Sequence, residues 1–155
     1  MIIPKHVAEN LPRLRRFANS IRGLYGFPVF LVGSALSGSN PSPRDWDLRL
    51  ILPNEEFTRH FGDYEKWSHE GTSGLWTDIR WKWSDECVKL SKQGWRECGL
   101  NIDFQIYPQD FADLMFPLHS FPRMQVDSRI MKTATKTTPQ VDKYNPSSSI
   151  VGVRS

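Results

Sequence analysis

The stretch "FLVGSALSGSNPSPRDWDLRLIL", residues 30–52, poses a problem of charge. An apolar run ends at Gly33-Ser34 and a loop of small residues follows. Two aspartates one residue apart, Asp45 and Asp47, then lead a second apolar run. An unpaired carboxylate on a buried strand costs several kcal/mol. A positive partner has to compensate, either an arginine or a metal ion.

Residues 27–33, "FPVFLVG", are nearly all apolar and end in glycine, which predicts a buried strand. One helical turn can start at Ser34, but Pro41 and Pro43 forbid a regular helix through the rest of the loop. Residues 45–52 alternate. Asp45, Asp47 and Arg49 share one face of a strand, and Trp46, Leu48, Leu50 and Leu52 the other. Pro53 closes this strand, and Asn54 is the expected cap of the next helix.

Leu11, Leu14, Phe17, Ile21 and Leu24 recur at helical spacing. They predict a helix over 9–25 with Asn10 as N-cap, Pro12 in the first turn and Gly26 at the end. Its arginines, Arg13, Arg15, Arg16 and Arg22, read as a solvated helix face. The segment "HFGDYEKWSHEGTSG" predicts a broken helix with a loop at Gly71–Gly74. Trp76, Ile79, Trp83, Cys87 and Leu90 mark a helix over 75–93, punctuated by Gly94, with its tryptophans in the core. Residues 100–108, "LNIDFQIYP", alternate again, with Ile102, Phe104 and Ile106 facing the core and Asp103, Gln105 and Tyr107 facing away. A short helix over "QDFADLMFP" follows, then a further strand over "VDSRIMK" and a Ser-, Thr-, Pro- and Lys-rich tail at 133–149.

At 155 residues the chain is long enough for one domain with a real core. A net charge of +3 is weak evidence for an anionic partner. Cys87 and Cys98 lack a CxxC spacing and are expected as reduced thiols. His6, His60, His69 and His119 show no HxxxH or HExxH spacing, so a zinc site is not expected. No apolar run reaches the ~18 residues of a membrane span, and the N-terminal stretch lacks a signal-peptide core. The expected setting is cytoplasmic, with no membrane partner.

Three aspartates thus fall on the polar faces of two strands. Residues i and i+2 on a strand lie about 6–7 Å apart. The two metal ions of a phosphoryl-transfer site stand ~3.5–4 Å apart, so such carboxylates can clamp them. Hard oxygen donors of this kind suit Mg²⁺ or Mn²⁺. Gly33 lets backbone approach a phosphate closely, and the Ser34 hydroxyl can bind it.

The run "GSALSGSNPSPRDWDL" resembles the signature of the DNA polymerase β-like nucleotidyltransferase superfamily, in particular its minimal stand-alone members. Val32 precedes Gly33-Ser34, ten residues (35–44) follow, and Trp46 and Leu48 fill the apolar slots around Asp45 and Asp47. Asp103 in "NIDFQI" fits the third carboxylate. Where the family often carries arginine after Gly-Ser, this chain has Ala35, Leu36 and Ser37, leaving Arg44 and Arg49 as candidate triphosphate contacts. The resemblance implies an α/β (α+β) fold, a small mixed β-sheet of three to five strands flanked by helices. It implies a catalytic domain over 1–118 and a C-terminal strand or arm with its tail over 119–155. It further implies metal-dependent transfer of a nucleoside monophosphate from a nucleoside triphosphate to a hydroxyl of a protein or small molecule. Asp45, Asp47 and Asp103 would be the metal ligands, and Gly33, Ser34, Arg44 and Arg49 would bind the nucleotide. A partner protein or second copy would complete the walls of the site. Addition to a nucleic-acid end, and a non-catalytic nucleotide- or partner-binding module, are the alternatives.

Overall fold

The computed structural model describes residues 2–38, 42–118 and 120–128. The strands are β1 (Val29–Val32), β2 (Trp46–Leu52), β3 (Ile102–Pro108) and β4 (Met124–Gln125). The helices are α1 (Lys5–Tyr25), α2 (Gly33–Ser37), α3 (Asn54–Phe61), α4 (Tyr64–Ser73), α5 (Asp78–Cys98) and α6 (Gln109–Met115). Among the described residues they make an α+β fold around one mixed sheet of order β3-β2-β1-β4. β1 runs antiparallel to β2 and β4, and β2 runs parallel to β3. A parallel pair needs a long crossover, which α3, α4 and α5 supply.

The alternation in β2 and β3 decides which way the sheet faces. Trp46, Leu48 and Leu50 of β2 and Ile102, Phe104 and Ile106 of β3 are buried. They pack with Val29 and Leu31 of β1, with Leu14, Phe17 and Ile21 of α1 and with Cys87 and Leu90 of α5 in one core. Phe17 meets Phe104 edge-on with centroids 5.9 Å apart. The other face carries Asp47, Arg49 and Asp103, all partly exposed. Ile51 and Tyr107 lie further along that face and are buried. Tyr107 was expected on the polar side. It is covered because its ring packs on Phe111 of α6, 4.9 Å away.

β3 is an edge strand, and an open edge leaves backbone groups unpaired. Here α5 covers it. The Ser91 hydroxyl accepts from the Phe104 N–H at 2.9 Å, and the Trp83 indole donates to the Ile106 carbonyl at 2.7 Å. Trp83 therefore belongs to the core, as its spacing implied, whereas Trp76, expected beside it, precedes α5 and is exposed.

Several local expectations are corrected. α1 begins at Lys5, four residues early, because Val7 is buried and the His6 ring bonds the Ala35 carbonyl at 2.8 Å. Asn10 is not its cap; its amide donates to the His6 carbonyl, and Pro12 lies inside the helix. Asn54 caps not its own helix but α6, its side chain accepting from the Asp110 N–H at 3.1 Å. α4 runs unbroken through Gly71, where a Cβ would collide with the Arg80 guanidinium. α5 runs through Gly94, packed so closely on Ile102 that no Cβ fits, and ends at Gly99. The arginines of α1 are not merely solvated. Arg13 donates to the Cys98 carbonyl, Arg15 to the Val126 carbonyl, and Arg22 lies 3.5 Å from the buried Asp127. Beyond residue 118, β4 pairs with β1 and Val126 is buried in the same core. The strand expected over 126–132 is instead Met124–Gln125; residues 129–155, with the expected tail, lie outside the described residues. His119 lies outside them too. Cys87 and Cys98 are free and buried.

Candidate active site

Asp47 sits on the central strand β2, opposite Asp103 of β3 on one side and Val32 of β1 on the other. Adjacent strands lie ~4.8 Å apart, so the register alone brings the two carboxylates together. Val32 ends β1, and the chain turns at Gly33 with φ +79°. A Cβ at Gly33 would fall onto a carboxylate oxygen of Asp47, so the glycine is required both by its backbone and by the aspartate beside it.

Arg49, two residues along the same face, supplies part of the positive charge that the strand's aspartates require. Its guanidinium donates to the carbonyls of Leu48 at 2.9 Å and Asp103 at 2.8 Å. It stands 3.6 Å from the Asp103 carboxylate and 4.0 Å from that of Asp47, and lies over the Tyr107 ring at 5.7 Å. It is fixed from four directions and compensates one charge. Three carboxylates nonetheless share this end of the sheet. Burial raises the Asp47 pKa above the usual carboxylate range. Arg49 opposes that rise, while the negative charges of Asp103 and Asp45 and a hydrogen bond with Asp103 add to it. One guanidinium therefore does not neutralise the cluster.

The expected residues divide into two groups. Gly33, Asp47 and Arg49 line a cleft of about 410 Å³, and Asp103 adjoins it through Asp47 and Arg49. Asp45 precedes β2, and its carboxylate accepts from the Asn101 amide at 2.7 Å. Ser34 and Arg44 are exposed, and Arg44 offers its backbone carbonyl to the same Asn101 amide. Among the described residues no three His, Cys, Asp or Glu side chains already converge as a metal cage. The donor pair that does converge is Asp47 with Asp103. It is hard, anionic, half-buried and short of positive charge, which fits an oxygen-seeking divalent cation.

The rest of the cleft was not read from the sequence. Tyr107, Phe116, Phe121, Pro122 and Arg123 form its far wall. Tyr107 and Phe116 stack with centroids 5.7 Å apart at 15°, Phe116 meets Phe121 edge-on at 5.6 Å, and Arg123 lies over Phe30 at 5.3 Å. The chain itself thus supplies one wall that was expected from a partner, a second copy or the tail. Residues 116–123 have no strand or helix periodicity, and their aromatic and proline content was the sole signal.

Comparison with family models, curated proteins and solved structures finds no match to this chain.

Proposed function

We propose that this chain is a metal-dependent nucleotidyltransferase, moving a nucleoside monophosphate from a nucleoside triphosphate to a hydroxyl of a protein or small molecule and releasing pyrophosphate. One observation carries the reading. Asp47 and Asp103, far apart in sequence, occupy one register position of parallel strands beside the Gly33 turn and an open cleft.

Asp47 and Asp103 would hold Mg²⁺ or Mn²⁺, with Asp45 adding negative charge from the strand's mouth. When bound, such a cation neutralises the triphosphate and lowers the pKa of the acceptor hydroxyl. The chain's own work is positioning. Gly33 leaves the room that the Asp47 carboxylate occupies, and its turn lines the cleft in which the triphosphate would lie. Arg49, pinned by two carbonyls, keeps both carboxylates in place and offers charge to the departing pyrophosphate. Asp103, the more exposed carboxylate at 45%, is the group placed to take the hydroxyl proton. Ser34 and Arg44 lie exposed near this end and would reach the triphosphate from outside the cleft.

A second reading has its own observation. Arg49 stands between the two carboxylates, as in a module that binds nucleotide or a partner without turning it over. Incubation with labelled nucleoside triphosphates and Mg²⁺ or Mn²⁺, with candidate acceptors, separates the two. Transfer by the native chain that falls by about a hundredfold or more in Asp47→Asn and Asp103→Asn supports the enzyme. Nucleotide binding without transfer supports the module, and transfer undiminished in Asp47→Asn rules out the mechanism.

A further inference from the structure

α5 has two faces. Trp83, Cys87, Leu90, Gly94 and Cys98 are buried on one. On the other, Trp81, Val88 and Trp95 are 57%, 50% and 60% exposed. They are spaced seven residues apart, so they drift by only ~20° per step and form one stripe along the helix. Large apolar residues scattered singly on a surface need no explanation, but an aligned row of them does.

The stripe reads the same in both directions: tryptophan, valine, tryptophan, with Val88 at the centre. Each tryptophan lies about 10 Å along the axis from Val88. A two-fold interface needs a surface that is its own complement, and a palindrome supplies it. Laid antiparallel on a second α5, Val88 meets its own copy and Trp81 meets the partner's Trp95.

Two further features follow the same symmetry. Asp85 and Lys92 flank Val88 on one edge of the stripe at nearly equal distances, so each faces the other's copy across the axis. Lys82 and Lys89 lie ~100° around the helix from the stripe and stay outside the seam, while Arg96, the third of that basic row, borders the groove at the stripe's end. At one end of the stripe Trp76 and Trp81 brace each other edge-on, with centroids 4.7 Å apart, and Leu75 beside them is 78% exposed. At the other end a groove of about 440 Å³ opens between Lys92, Trp95, Arg96, Asn101 and Ile102. The two-fold axis through Val88 sets the aromatic knob of each copy against the groove of the other.

We propose that the outer face of α5 is a self-association surface, on which a second copy of this chain docks antiparallel about Val88. The inference does not rest on the carboxylate cleft, which opens on the opposite face of the sheet. Sedimentation equilibrium of the native chain across the micromolar range tests it, with Val88→Glu and the charge reversals Asp85→Lys and Asp85→Lys/Lys92→Asp. A dimer is expected. Val88→Glu, exposed in the monomer and so tolerated by the fold, should weaken it by about tenfold or more. Asp85→Lys should weaken it by about tenfold, and the double reversal should restore it to within about threefold. Circular dichroism confirms that each variant is folded. A monomer at every concentration overturns the proposal, including a monomer that sediments with anionic vesicles instead. A dimer indifferent to Val88→Glu and to both reversals overturns it as well.

Discussion

Asp47 owes its place to Gly33. The strand register puts the carboxylate against the turn that ends β1, and the absence of a side chain there leaves it room. Two independent constraints act on this glycine, a left-handed backbone and a carboxylate in the space of its missing Cβ. Gly33→Ala is therefore expected to cost about 1–3 kcal/mol in urea denaturation from the backbone alone, and to displace Asp47 in addition. Gly74→Ala is the control. Its φ is +77° but nothing crowds its Cβ, so it should carry the backbone cost without disturbing the site. Residue by residue, the acidic pair was legible because period-two alternation fixes which side chains share a face. Asn10 and Asn54 were misread because a side-chain cap is decided by the group within reach. For Asn54 that group is the Asp110 N–H of another helix, which no local pattern reveals.

At the scale of elements, β1, β2, β3 and α6 followed from hydrophobic pattern, whereas β4 and the helix ends did not. Glycine stops a helix only when nothing holds the helix together past it. Gly71 and Gly94 lie inside α4 and α5 because Arg80 and Ile102 fill the space where their side chains would be. The same packing seals the edge of the sheet. Nothing in the apolar spacing of α5 singles out Ser91, yet it satisfies the backbone of β3. Ser91→Ala leaves the Phe104 N–H without that partner and is expected to destabilise the fold by about 1–3 kcal/mol in urea denaturation. Replacement by Thr, which keeps the hydroxyl, should lose less. Equal stability of Ser91→Ala and the native chain would mean that water serves the edge as well as the hydroxyl does.

At the scale of the whole molecule, the cleft is made where β1, α2, β2, Tyr107 of β3, α6, Phe116 and residues 120–123 meet, and no single stretch of sequence contains it. The apolar wall leaves the charge at the other end poorly solvated, which is why Asp47 is held above the ordinary carboxylate range. Linkage gives the sign. A carboxyl whose pKa is raised by folding contributes stability at pH below its ordinary value, and that stability is lost as pH rises through the raised value. Near neutral pH without a divalent cation, Asp47→Asn is thus expected to melt no lower than the native chain. A cation that binds the ionised pair reverses the balance, and its affinity rises with pH as Asp47 gives up its proton. Calorimetric titration of Mn²⁺ into the native chain, Asp47→Asn and Asp103→Asn, at neutral pH and again near pH 5, measures this directly. The expected result is saturable binding to the native chain, weaker at the lower pH and reduced about tenfold or more in either variant. Absence of binding to the native chain, or equal binding to Asp47→Asn, would mean that Arg49 alone answers the charge of the two strands.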